Sequence, residues 1–177
     1  MIIISNTNFD NSSVKLLMET AKCEYDNEYN RISIIDNKTS IILPVVSAYF
    51  LAIAQMNDYE KIFSYKITSF AGLIVPSLLF LTYTSSLIIA LVAIIMLVSV
   101  VSTRNYQNIK SSDLYDVDYL KNESIFLQIK LVNLYITTTE FNKMINDTKI
   151  AKYQNSWKFT IASIILFVLY ILSKNIF

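Results

Sequence analysis

The chain has 177 residues, a net charge of +1 and a content of 54% hydrophobic residues. It has no histidine and a single cysteine, Cys23, so it lacks the commonest metal ligand and general base and cannot form an internal disulfide. The near-neutral charge gives no overall field that would attract nucleic acid or an anionic surface.

Residues 1–38 are predicted to form a cytoplasmic helix after a polar lead-in. From Val14 onward, apolar residues recur at helical spacings: Leu17, Ala21, Tyr25, Ile32 and Ile35. No glycine or proline precedes Pro44, so this helix is expected to run directly into a first membrane span over residues 39–56. Cys23 lies on the helix and is interpreted as an ordinary helix position, with oxidation or lipidation as the alternative.

A long uncharged segment over residues 67–103 gives the strongest membrane signal. A helix crosses the bilayer core with about 20 residues. Together with the first span and a polar connection over residues 57–66, this segment makes residues 39–103 the membrane segment. Hydropathy alone would divide it at residues 82–86, giving four crossings in the protein. Those residues include no glycine, proline, asparagine or charge to mark a tight turn, so one long, tilted helix is preferred and the hairpin is the alternative.

Residues 104–157 are predicted to form a turn-rich cytoplasmic linker and a second long helix that runs into a last span over residues 158–177. One apolar stripe follows this helix: Leu120, Leu127, Leu131, Leu134, Phe141 and Ile145. Residues 104–158 hold eight Lys and Arg, residues 1–38 hold four, and the connection 57–66 holds two. Positive residues favour the cytoplasmic side, so both polar blocks are expected there, with an even number of crossings between them. The expected fold is all-α, with long amphipathic cytoplasmic helices that continue into three, alternatively four, transmembrane helices.

Polar residues within the spans are candidates for lining a pore or for packing helices: Ser47, Thr82, Thr84, Ser85 and Ser86. No Asp, Glu, Lys or Arg lies in mid-span, which argues against a proton pump or an ion-coupled transporter. A chain of this size with three or four spans cannot enclose a water path alone, so a homo-oligomer of about three to five subunits, in contact with lipid, is expected.

Two related segments, residues 28–40 and 140–151, lead into the first and last spans. Each has Glu, an aromatic residue, Asn and a basic residue, followed later by Asp-x-Lys. One interpretation is that the basic residues anchor the helices at the headgroups, with Asp as a local partner. The other is that these groups line a site or gate at the cytoplasmic mouth. A phosphate-bearing ligand needs cationic donors, and the candidates are Arg31, Lys38, Arg104, Lys143 and Lys149.

The sequence contains no catalytic or cofactor-binding motif. Its only glycine, Gly72, lies in a membrane segment, so there is no P-loop, and no carboxylates are paired in a pocket-forming context. We therefore expect no enzyme activity, no cofactor and no metal site.

Two orders of residues that each lead into a span resemble small bacterial anti-phage membrane effectors of nucleotide-signalling defence systems, such as the Pycsar membrane effector family. They are Tyr25, Glu28, Arg31, Asp36 and Lys38, and later Tyr135, Asn142, Asn146 and Lys149. The resemblance implies a protein held inactive until infection, which then opens or disrupts the bacterial inner (cytoplasmic) membrane. It also implies control by a nucleotide or short oligonucleotide made by a neighbouring synthase. Unlike many of these effectors, the 177 residues include no separate cyclic-nucleotide-binding domain, which leaves the ligand open.

Two other functions stay open on the sequence. One is a membrane anchor or assembly subunit with no conductance of its own. The other is a holin-like toxin, although long polar linkers are rare in such toxins.

Overall fold

The computed structural model is all-helical over the residues it describes, which are 11–56, 59–63, 70–103, 105–114 and 124–176. The helices in these ranges are α1 (Asn11–Gln55), α2 (Tyr59–Phe63), α3 (Phe70–Ser102), α4 (Ser111–Leu114) and α5 (Ser124–Ile176). The predicted helical class is confirmed. Arg104, Leu120 and most of the predicted lead-in before Val14 lie outside the described residues.

Three of the helices, α1, α3 and α5, are long and apolar enough to cross a membrane. α3 continues without interruption through residues 82–86, so the preferred arrangement of three long helices is confirmed over the four-crossing hairpin. α1 and α5 also run unbroken from their polar ends into their apolar ends, as predicted. Pro44 and Pro76 lie inside α1 and α3.

The three long helices bury faces with the spacing of a coiled coil. Along α5, buried or half-buried residues recur at alternating steps of three and four: Val132, Tyr135, Thr139, Asn142, Asn146, Lys149, Tyr153, Ser156, Thr160, Ser163, Phe167 and Tyr170. The same alternation runs along α1 from Val14 to Ile53 and along α3 from Pro76 to Val100. A sustained period of 3.5 residues is typical of helices that wind around each other with a left-handed twist.

The chain divides into two compact units. The polar unit contains residues 1–34 and 105–148, and the apolar unit contains residues 35–104 and 149–177. Each of the long helices α1 and α5 contributes its first part to the polar unit and its second part to the apolar unit.

In the apolar unit, α1 and α5 run parallel and α3 runs in the opposite direction. Residue numbers rise together along α1 and α5, because Asp36 contacts Lys149 and Tyr49 contacts Ser163. They run in opposite senses along α1 and α3: the Tyr83 hydroxyl donates to the Ile53 carbonyl, whereas Leu97 packs near Val46. Residues 35, 102 and 149 therefore lie at one end of this unit.

The end of the apolar unit opposite to residues 35, 102 and 149 has an aromatic core. Ile53, Leu79, Tyr83 and Tyr170 are buried together, and the rings of Tyr83 and Tyr170 lie 5.0 Å apart. Ile62 of the short helix α2 joins this cluster, so part of the predicted polar connection over residues 57–66 packs against the bundle. Aromatic pairs at this distance stabilise a core beyond the area that they bury.

The buried face of α5 in the polar unit is not the predicted apolar stripe. The described stripe residues are only half-buried, namely Leu127, Leu131, Leu134, Phe141 and Ile145. The fully buried positions are largely polar instead: Val132, Thr138, Thr139, Asn142 and Asn146. On α1, Ala21, Ile32 and Ile35 are buried as predicted, whereas Leu17 is exposed. Of these polar residues, Asn142 and Asn146 bond groups on other segments, which makes the burial of their amides favourable.

Candidate functional site: a polar seam between α1 and α5

A charged cluster joins α1 to α5 inside the polar unit. The Arg31 guanidinium donates from Nη2 to Asp147 Oδ1 at 2.8 Å and from Nη1 to Glu28 Oε1 at 3.2 Å. Glu28 and Arg31 are neighbours because residues three apart lie on one side of a helix. The buried amide of Asn146 donates to Glu28 Oε2 at 2.8 Å and to the Glu28 carbonyl at 3.1 Å. The cluster thus fixes α1 against α5 in rotation and in height.

Asn142 connects the segment that follows α3 to α5. Its side chain accepts from the Gln107 N–H at 3.0 Å and donates to the Gln107 carbonyl at 2.9 Å. Residues 105–110 are not helical, so their backbone groups need partners from elsewhere. The buried Asn142 side chain has both a donor and an acceptor. It therefore pairs with both backbone groups of one residue, as the backbone of a neighbouring β-strand would.

Lys149 forms an ion pair in the apolar unit in which the lysine is enclosed and the aspartate is reached by solvent. Its ammonium lies 2.8 Å from Asp36 Oδ1, with the lysine side chain 1% exposed and the aspartate 40% exposed. Lysine is almost never fully buried unless it is paired. The cost of removing such a pair from water is comparable to its attraction. The pair is therefore better suited to specifying how α1 and α5 meet than to raising stability.

Within the apolar unit, hydroxyl groups form a separate set of contacts between the long helices. Ser86 Oγ donates to the Ser163 carbonyl at 3.0 Å, and Ser163 Oγ donates to the Ser86 carbonyl at 2.8 Å. The Tyr49 hydroxyl lies 3.1 Å from Ser163 Oγ. Ser86 and Ser163 are fully buried. Small residues with hydroxyls let helix backbones approach closely in a membrane and bond across the gap.

Of the five polar residues predicted to line a pore or pack helices, Ser86 bridges two helices. Ser47 and Thr82 instead bond carbonyls of their own helices, at Leu43 and at Leu78. Ser85 is half-buried. Thr84 is half-buried, and its hydroxyl oxygen is shielded from solvent without a hydrogen-bond partner in the described part of the chain.

The candidate ligand-binding cations occupy different environments. Arg31 and Lys149 both donate to carboxylates of the same chain. An incoming phosphate would therefore have to displace Asp147 or Asp36. Lys38 in the apolar unit and Lys143 in the polar unit are exposed. Arg104 lies outside the described residues.

The two related segments contact each other but are not structurally equivalent. Contacts between them join Glu28 to Asn146 and Arg31 to Asp147 in the polar unit. Matching members nevertheless differ, because Lys38 is exposed whereas Lys149 is buried. The two segments therefore contact each other, but matching residues lie in different environments.

The sequence places Glu28, Asp36 and Asp147 in the two related segments and singles out Asn142 and Asn146 only through the resemblance, but it names only basic residues as ligand-binding candidates, because a phosphate needs cationic donors. Ser163 is not singled out by the sequence. A usable signal was present in a seven-residue repeat of mostly polar residues along α5, at Asn142, Lys149, Ser156, Ser163 and Tyr170. Comparison with protein-family models, curated proteins and solved structures finds no match to this chain, so its function has to be argued from its own residues.

Proposed function

We propose that this protein is a membrane effector of bacterial anti-phage defence, which assembles into a homo-oligomer and opens or disrupts the inner membrane under the control of a ligand. The observation that carries the proposal is the hydroxyl seam of Ser86, Ser163 and Tyr49 between membrane-crossing helices. Hydroxyls can exchange their mutual hydrogen bonds for bonds to water, whereas an apolar seam cannot. The seam can therefore adopt two states, one closed and without water and one open and hydrated.

Control is proposed to act on the ion pairs that join α1 to α5. A nucleotide or short oligonucleotide carries phosphates that compete with Asp147 for Arg31 and with Asp36 for Lys149. Displacement of either carboxylate removes a contact that sets the relation of the two helices. Such a ligand shifts a closed and an open state only by the difference in its affinity for them.

Assembly from several subunits is part of the proposal because three spans leave no room for a water path within one chain. We expect about three to five copies around a common axis. Lipid would surround the outer faces of the apolar helices.

The experiment is depolarisation of bacterial cells that express the chain without its neighbouring genes, followed with a potential-sensitive dye. The double variant S86A/S163A should slow depolarisation several-fold, because alanine cannot hold water in an opened seam. Ser47→Ala is the matched control, since the Ser47 hydroxyl bonds the carbonyl of Leu43 in its own helix. Equal depolarisation by the native chain and S86A/S163A would refute the role of the seam.

One observation favours the alternative of a non-conducting membrane anchor or assembly subunit. The hydroxyls of Ser86 and Ser163 satisfy each other within a single chain, which is what a permanently closed bundle requires. An anchor should leave the membrane potential unchanged in the same assay. It should also hold the product of a neighbouring gene in the membrane fraction.

A further inference from the structure

α3 is longer than a bilayer requires. It has 33 residues, or about 50 Å at about 1.5 Å per residue, against a hydrocarbon core of about 30 Å. α3 has no charged residue, whereas its partners in the apolar unit carry charged residues before their apolar runs begin: α1 up to Lys38 and α5 up to Lys158. α3 therefore carries apolar surface beyond the depth at which its neighbours carry charge.

The contacts within the apolar unit show which residues form this excess. Ser86 is level with Ser163, and α3 runs opposite to α5. Leu97, eleven residues after Ser86, is therefore level with Lys152, eleven residues before Ser163. Tyr49 is also level with Ser163, so Lys38, eleven residues before Tyr49 on α1, lies at this height. Tyr153, which follows Lys152, packs against the cluster that contains Leu97, in agreement with this register.

At the height of these lysines, α3 presents bare apolar side chains. Ile95 is 59% exposed and Val98 is 48% exposed. With Ile88 and Leu91, which are also exposed, they form an uncharged strip with steps of three and four residues, here called the α3 strip. Acyl chains cover its Ile88 end, but lysines mark the headgroup level, where water would meet Ile95 and Val98.

We propose that the α3 strip is a self-association surface, covered by the same strip of a second copy of this chain. All copies enter a membrane with the same orientation and depth, so a second strip meets the first along its whole length. The strip has no charge that would repel its copy.

This surface rests on the self-association in the proposed function. A strip that meets the same strip of another copy is a two-fold contact, so it joins copies in pairs, and a larger assembly needs a second face. The test is disulfide cross-linking in native membranes, in a Cys23→Ser background that leaves no other thiol. Val98→Cys and Ile95→Cys are treated separately with a mild oxidant and analysed on denaturing gels without reductant. Ile41→Cys is the matched control, because Ile41 is 69% exposed on α1 at nearly the same height as Ile95.

The expected result is a product of twice the chain mass for Val98→Cys or Ile95→Cys, and at least five-fold less of it for Ile41→Cys. A disulfide requires the two Cα atoms to lie within about 7 Å, so chance collisions give little product. The proposal is overturned if both strip variants stay monomeric, if Ile41→Cys cross-links equally, or if the product has the mass of another partner. Cross-linking does not depend on depolarisation. A cross-linked chain whose expression leaves the membrane potential unchanged would refute the pore and retain the surface.

Discussion

The two partners of the ion pair between Asp36 and Lys149 are expected to differ in how much stability is lost when each is substituted. Asp36→Asn leaves the lysine ammonium buried without its carboxylate, whereas Lys149→Met removes the buried charge and keeps an apolar stem of similar length. Asp36 is 40% exposed, so water solvates it once the lysine is gone. Changing the exposed partner should therefore cost more than changing the buried one.

The magnitude follows from the exposure of the two groups. Breaking a fully buried pair by removing one partner costs about 3 to 5 kcal/mol. Because water reaches Asp36, we expect a smaller loss for Asp36→Asn, about 2 kcal/mol. For a chain of this length that corresponds to a fall of about 4 to 8 °C in the thermal midpoint. Lys149→Met should lower the midpoint by less than half as much.

The assay is thermal unfolding of the purified protein in detergent, followed by circular dichroism. The double variant D36N/K149M contains neither charge, so it should be more stable than Asp36→Asn alone. Lys143→Met is the control, because Lys143 is exposed on the same helix, and it should leave the midpoint unchanged. A Lys149→Met protein that is less stable than Asp36→Asn would refute this reasoning.

Three further predictions concern other parts of the chain. Asn142→Ala should cost about 1 to 3 kcal/mol, because it removes two hydrogen bonds to the Gln107 backbone that contribute about 0.5 to 1.5 kcal/mol each, and hydrogen exchange at Gln107 should accelerate. Ala93→Leu should cost about 1 to 3 kcal/mol by overpacking a fully buried position of α3, seen as a lower thermal midpoint. Cys23→Ser should change neither thermal midpoint nor depolarisation, because Cys23 is exposed; a clear effect on depolarisation would point to a role for the thiol.

The sequence by itself determined the helical class, the three long helices and their unbroken passage from polar to apolar surroundings. These properties depend on information that is local along the chain. A helix is expected to continue where no turn residues interrupt it, and α1 and α3 continue even through Pro44 and Pro76, which membrane helices tolerate. Whether a helix suits a bilayer depends on the length of its uncharged run. For the same reason α3 could be predicted to pass through residues 82–86 without a turn.

Only the tertiary structure decided which face of each helix is buried. The predicted stripe with Leu131 and Phe141 is half-buried, whereas Asn142, Asn146 and Lys149 are enclosed. Burial of a polar side chain is favourable only where it has a hydrogen-bond or ion-pair partner. For Lys149 that partner is Asp36, 113 residues earlier in the chain. Hydropathy assigns each residue a preference for water or lipid, but a hydrogen bond depends on the rotation and height of two helices at once. That relation is set by the packing of the whole bundle, which no local pattern in the sequence contains.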